Sequence, residues 1–224
     1  MKLLIVTETF RRLKMKRIAN VIGGSGLVGQ QLILQLLDHP EFVKVRSFVR
    51  RPSGMAHPKL EEIKIDFDQL QSWKHLVQGD VLFSTLGTTI KTAKTKENQY
   101  KVDFGYQLKF ALAAFGNNVP TYVLVSSLGA NSYSRVFYSR MKGELEEAVS
   151  KLSFKKLIIF QPSILDGKRT ENRTGEKIML AITHFVTQFM LKKYQPTRVD
   201  LLAAKMIAAS LDQSQGIRVI TSVQ

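Results

Sequence analysis

Apolar and polar positions along the chain switch between two periods, and the switching lays out an alternating α/β order. Arg17–Ile22 is a strand-like apolar run. Residues 27–38 repeat on a helical period, with Leu27, Val28, Leu32 and Leu36 on one face, and His39-Pro40 ends the helix. Val43–Val49 predicts a second strand, Glu62–Ile65 a short third, and Gln69–Val77 a helical or looped stretch. Asp80–Ser84 is a fourth strand, closed by the small-residue turn Thr85-Leu86-Gly87-Thr88-Thr89. A basic loop (Lys91, Lys94, Lys96) leads into a long helix from about Asn98 to Phe115. Strand Thr121–Ser126, helix Val136–Lys151 and strand Lys156–Phe160, stopped by Pro162, follow. Two more helices are predicted at Lys177–Leu191 and Asp200–Leu211, and a last strand at Ile217–Ile220. Such alternation predicts a doubly wound, mostly parallel sheet with helices on both faces, and ligands at the carboxyl ends of its strands near the switch between strands one and four. No repeat, low-complexity tract or linker interrupts it.

The first crossover reads Val21-Ile22-Gly23-Gly24-Ser25-Gly26-Leu27-Val28-Gly29, a G-x-x-G-x-x-G turn between a strand and a helix. Gly23 permits the tight turn. Gly26 lets a pyrophosphate approach the free amides of the helix start, and Gly29 lets the helix lie close to the sheet. Strand two ends in Phe48-Val49-Arg50-Arg51-Pro52. An acidic residue there would grip the 2′-hydroxyl of NAD. Two guanidinium groups suit a 2′-phosphate instead, so NADP(H) is favoured over NAD(H). Asp66, after strand three, is placed to accept a bond from an adenine amino group, with the Phe67 backbone beside the ring. Asp66 and Asp68 also read as helix N-caps. Leu86-Gly87-Thr88 offers a backbone that can approach a ligand, and Thr88 or Thr89 also reads as a cap.

Composition narrows the picture. The chain's 224 residues suffice for one sizeable α/β domain. With no cysteine, disulfides and thiolate chemistry are excluded, and a cytoplasmic protein is expected. The formal charge of +15 is spread along the chain and reads as a solvated cationic surface. No basic run is interleaved with aromatics and no zinc-finger spacing occurs, so nucleic acid is not the expected partner. No apolar run reaches a membrane span; Ile178 to Leu191 comes nearest, but Thr183, His184 and Gln188 interrupt it. Residues 1–16 lack a signal-peptide pattern and precede the nucleotide-fold pattern, so they read as a dispensable extension with Met15 a candidate natural start. The four histidines show no metal spacing, and no Ser/His/Asp order or G-x-S-x-G stands out.

Tyr138-Ser139-Arg140-Met141-Lys142 is a Y-x-x-x-K segment on a predicted helix, where positions i and i+4 share a face. A free phenol ionises near pH 10, so forming a phenolate near pH 7 costs about 4 kcal/mol. An adjacent ammonium and an oxidised nicotinamide lower that cost. Tyr138 then reads as the acid/base of a carbonyl/alcohol reaction. Ser126 and Ser127, at the end of strand five, are both placed to hydrogen-bond the reacting oxygen.

These residues resemble the short-chain dehydrogenase/reductase superfamily in its atypical branch, and look similar to the Tat-interacting oxidoreductase family of NAD(P)-binding, epimerase-like Rossmann proteins. The likeness rests on Val21–Gly29, Leu86-Gly87-Thr88-Thr89 with Val102-Asp103, Val125-Ser126-Ser127-Leu128-Gly129-Ala130, Tyr138 through Glu146, and Gln161-Pro162-Ser163. It implies that Gly23, Ser25, Gly26, Leu27 and Val28 hold the pyrophosphate and Arg50 and Arg51 the 2′-phosphate. Asp66 and Phe67 would flank adenine, and Leu86, Gly87 and Thr88 the middle of the cofactor. Lys142 would bond the nicotinamide ribose, with Tyr138 as acid/base and Ser126 or Ser127 assisting. Pro162, Ser163 and Ile164 would line the carboxamide. Two departures stand out. The Asn-Asn-Ala-Gly turn of standard members is replaced by Thr85-Leu86-Gly87-Thr88, and the tail after Pro162 is short for the substrate lobe of a nucleotide-sugar epimerase. The expectation is therefore one Rossmann-type domain over residues 17–224, with a small C-terminal substrate-side lobe mainly in 163–200. Arg169 and Arg173 there are placed to meet an acidic substrate, though they also read as surface charge. The protein is expected to be an NADP(H)-dependent oxidoreductase acting on a small carbonyl or alcohol; pairing into dimers is common in the superfamily the residues resemble, and the sequence leaves the oligomeric state open. The competing readings are an NADP(H)-sensing interaction module without turnover and a polyanion-binding protein.

Overall fold

The computed structural model describes residues 16–166 and 196–221. Strand β1 (Arg17–Ile22) feeds helix α1 (Leu27–Asp38), strand β2 (Phe42–Val49) and strand β3 (Leu60–Lys64). Helix α2 (Leu70–Trp73) tightens into a 3-10 turn (Lys74–Leu76) before strand β4 (Val81–Ser84). The segment expected to be a basic loop holds a short helix α3 (Ile90–Ala93), capped by Thr89, whose Oγ1 accepts from the Thr92 amide. Helix α4 (Lys96–Tyr100) then starts two residues earlier than expected, because Thr95 caps it. The long helix continues through a π-helical stretch (Lys101–Tyr106) into α5 (Gln107–Gly116). Strand β5 (Thr121–Val125), helix α6 (Phe137–Ser150) and strand β6 (Lys156–Phe160) follow. A two-residue strand β7 (Leu165–Asp166), absent from the sequence reading, pairs with β8 (Thr197–Arg198), and α7 (Val199–Leu211) leads to β9 (Gly216–Ile220). The predicted helix at 177–191, the residues Arg169 and Arg173, and the extension at 1–15 lie outside the described residues.

The main sheet is parallel throughout, in the order β3-β2-β1-β4-β5-β6-β9. Strand alternation divides its side chains between two cores. On one face Ala19, Val21, Val45, Phe83, Val123 and Ile158 meet Leu32 and Leu36 of α1 and Leu202 and Met206 of α7. On the other, Ile22, Phe48, Leu82, Leu124 and Ile159 meet Trp73, Phe110 of α5 and Leu145 of α6. Both faces are covered, as a parallel sheet requires. At the amino end of the sheet the buried Lys156 ammonium donates to the carbonyls of Ala209 and Asp212 and to the Asp212 carboxylate, closing off α7. Register fixes the opposite end. Ile22 stands level with Phe48 of β2 and with Ser84 of β4, so the turns after β1, β2 and β4 emerge side by side.

Candidate functional site

Those turns form the candidate site. Gly23 has φ +80°, and a Cβ there would overlap the Leu86 backbone of the turn after β4. The two turns are thus pressed together, with Thr85 donating to the Ile22 carbonyl through both its amide (3.0 Å) and its hydroxyl (2.9 Å). Gly26 is the N-cap of α1 and supplies no side chain, and no acidic residue lies in the first turn, so the helix presents bare amides. The reason for Gly29 differs from the expectation. Its Cβ would overlap the Gly23 carbonyl, so the close approach is between helix and turn rather than between helix and sheet. Gly24, which sequence reasoning passed over, is as tightly placed, since a Cβ there would lie 2.7 Å from the Ser47 hydroxyl. Gly29→Ala is expected to lose about 1–3 kcal/mol of stability through this overpacking. Dinucleotide affinity should fall with it, as read by urea unfolding and a fluorescence titration. A variant that melts and binds like wild type would remove the turn's claim to a tight fit. Ser25 is exposed, Leu27 half-buried and Val28 buried at the start of α1.

Arg50 and Arg51 are exposed at the end of β2, and neither forms an ion pair among the described residues. Asp66 makes a local turn, its Oδ1 accepting from the Asp68 amide at 2.9 Å, while its carbonyl accepts from the Trp73 indole. The Phe67 ring is buried against Tyr106 and Phe110, which leaves only its backbone for a ligand. Asp68 caps no helix; it pairs with Lys101 at 2.8 Å and accepts from the Tyr106 hydroxyl.

Behind the turn after β4 lies a buried polar network that the sequence reading did not assemble. Asp103, on the π-helical stretch, is 1% exposed. Its Oδ2 accepts from the Thr88 amide at 2.8 Å, and its Oδ1 lies 3.5 Å from the Lys142 ammonium, itself buried. Gly87 has no side chain to intrude, since a Cβ there would approach Asp103 Oδ1 to 3.3 Å. The Gln107 amide donates to the Asp103 carbonyl, and its oxygen accepts from Ser84 of β4; Gln99 donates to the Thr88 carbonyl. Burial pushes the Asp103 carboxyl above its ordinary range, with the Lys142 charge and the Thr88 amide pulling it back down. Distortions of this π type frequently mark functional sites.

Lys142 sits one turn below Tyr138 on α6, its Nζ 6.0 Å from the centre of the phenol ring, as Y-x-x-x-K spacing predicts. Tyr138 is 40% exposed. Gly143 lets α6 close on the loop before it, because a Cβ there would overlap the Asn131–Ser132 backbone. The two serines after β5 differ. Ser126 Oγ is buried with no hydrogen-bond partner among the described residues, whereas the Ser127 hydroxyl reaches the Leu128 carbonyl at 3.4 Å. The Leu128 amide donates to the Pro162 carbonyl, the Ser163 hydroxyl meets that of Thr197 at 3.2 Å, and Ile164 is exposed beside them. Among the described residues no cluster suits a metal ion, and no helix is long and apolar enough to cross a membrane.

Comparison with known proteins agrees with this geometry. A family model described as NAD(P)H-binding matches residues 23–179. The protein named fmp52, mitochondrial, of Aspergillus fumigatus is 34% identical over 209 residues, which span 88% of this chain and 89% of that one. Its counterpart FMP52, mitochondrial, of Candida glabrata is 39% identical over 163 residues, 71% and 69% of the two chains. Among solved structures, ADP-L-glycero-D-manno-heptose-6-epimerase of Helicobacter pylori aligns with TM-score 0.69 at 18% identity, covering 93% of this chain and 78% of that one. A short-chain dehydrogenase of Streptomyces avermitilis aligns with TM-score 0.66 at 16% identity, covering 92% and 88%. These likenesses show a Rossmann-like fold. The expectation of a cytoplasmic protein is corrected by the relatives, which are named as mitochondrial proteins; an absence of cysteine fits any reducing surroundings and does not choose among them. The chain belongs to the NAD(P)H-binding family whose model it matches over most of its length.

Proposed function

We propose that the chain is an NADP(H)-dependent oxidoreductase that interconverts a carbonyl and an alcohol, with Tyr138 as its acid/base. The observation that carries this reading is the Lys142 ammonium, held by a buried carboxylate, lying over the Tyr138 ring. The residues fit a phosphorylated dinucleotide. Bare amides at α1 and the Gly23–Gly26 turn suit the pyrophosphate, and the exposed Arg50 and Arg51 suit a 2′-phosphate. When bound, the dinucleotide supplies or accepts the hydride. In the reducing direction Tyr138 gives its phenol proton to the substrate oxygen and is refilled from solvent through its exposed edge. The hydroxyl of Ser126, with Ser127 beside it, orients that oxygen, and the Lys142 side chain lies beneath the ring. The mitochondrial naming of the relatives extends by proposal to this chain, and subcellular fractionation reads it directly. Residues 1–16, with Lys2, Arg11, Arg12, Lys14 and Lys16 against Glu8, are basic and acid-poor, as organelle addresses are.

The test is NADPH oxidation by the purified protein across a panel of aldehydes and ketones. Consumption with any of them supports the enzyme. Tight NADPH binding with no turnover across the panel would favour a cofactor-sensing module. Cofactor choice has its own test. Arg50→Ala is expected to weaken NADPH binding by about 10- to 100-fold, the worth of a charge-assisted contact, and to leave NADH binding unchanged. An unchanged NADPH-to-NADH ratio would remove the guanidinium pair from cofactor selection.

A further inference from the structure

Lys142 and the turn after β4 belong to different elements, and a single carboxylate joins them. Asp103 uses its two oxygens separately, one for the Thr88 amide at 2.8 Å and one for the Lys142 ammonium at 3.5 Å. Lys142 has no other ion-pair partner among the described residues. The nearby charges on α6 are occupied elsewhere, since Arg140 pairs with Glu144 at 3.8 Å, and Lys96 of α4 lies over the Phe137 ring. Asp103 is itself held from behind, because Gln107 ties its carbonyl to Ser84 of β4. The side chains of this connected network, Ser84, Asp103, Gln107 and Lys142, are buried, and such a network fixes one arrangement of its members.

We propose that Asp103 is the positioning residue of this site: its bridge from the Thr88 amide to Lys142 holds the dinucleotide-side turn and the Tyr138–Lys142 pair as one unit. Two consequences separate this from a purely structural acid. Losing the carboxylate's charge while keeping its shape frees Lys142 but spares the turn, because a carboxamide oxygen still accepts from the Thr88 amide. Losing the side chain frees both. An ammonium left without a counter-charge in that pocket either swings to water or gives up its proton, and both outcomes expose a nucleophilic amine.

The experiment is site-resolved acetylation of the apo protein by acetic anhydride, read by mass spectrometry, on wild type, Asp103→Asn and Asp103→Ala. Lys156 is buried at the far end of the sheet, 6% exposed, and reports global loosening. Asp103→Asn is expected to speed modification of Lys142 by about tenfold or more while Lys156 stays as protected as in wild type. Unchanged Lys142 reactivity, or a parallel rise at Lys156, would overturn the proposal. This arm needs neither turnover nor cofactor. A catalytic arm rests on the oxidoreductase reading: in an active protein Asp103→Asn should lower kcat by about 100-fold with KM for NADPH kept, and Asp103→Ala should raise that KM as well. An Asp103→Asn enzyme with wild-type kcat would overturn the proposal; an inactive wild type defeats only the oxidoreductase reading.

Discussion

Lys142→Met is expected to cost about 3–5 kcal/mol of folding stability at pH 8, because it leaves a buried carboxylate without its cation. Asp103 sits on a short side chain and is 1% exposed, so it has no route to water. Burial already raises its folded-state pKa, with Lys142 and the Thr88 amide opposing. The folded chain therefore holds that proton more tightly than the unfolded chain does. Stability falls as pH rises from about 4, the unfolded value, through the raised folded value. Removing Lys142 removes the larger opposing influence, so the folded value climbs further and the loss continues to higher pH. Urea unfolding of wild type and variant at pH 5 and pH 8 checks this. The gap between them should widen at pH 8, and a gap that is equal at both pH values would mean that Asp103 does not take up the proton.

Tyr138→Phe should behave in the opposite way, with a large effect on rate and almost none on stability. The ring remains to face Lys142 Nζ, and only the exposed hydroxyl is lost. Under the oxidoreductase reading, kcat is expected to fall by about 10²- to 10⁴-fold, the usual worth of a positioned acid/base. Dinucleotide affinity and the urea midpoint should stay at wild-type values. Steady-state kinetics beside a binding titration separate the two quantities. Retained turnover in the variant would move the proton-transfer role to another group.

Much of the framework is legible in the sequence alone. The bounds of β1, α1 and β6 match the sequence reading residue for residue, because glycine, His39-Pro40 and Pro162 mark where each period stops. The Tyr138–Lys142 juxtaposition followed from helical spacing alone. What stayed hidden depends on tertiary partners. The π-helical turn is stabilised by Gln107 reaching both the Asp103 carbonyl and Ser84, from 4 and 23 residues away. Val102-Asp103 was noticed only as part of a motif, because burial, not residue type, makes Asp103 matter. The β7–β8 pair joins positions about thirty residues apart through two residues each, too short to leave a period. The sequence reads Gly29 as a close approach of helix to sheet, whereas the atoms a Cβ would meet belong to Gly23 and Gly24, since a glycine pattern shows that space is needed but not which atoms need it.

The strand order gives the molecule a mechanical polarity. β1 lies in the interior of the sheet, hydrogen-bonded along both edges to β2 and β4, whereas among the described residues β9 is an outer strand paired with β6 alone. Tension applied ahead of Arg17 loads two ladders together, and they must shear in concert. Tension applied beyond Ile220 loads one ladder, which can peel bond by bond. Threading this chain through a narrow opening tail-first would begin with a strand paired on one edge, and head-first with a strand paired on two.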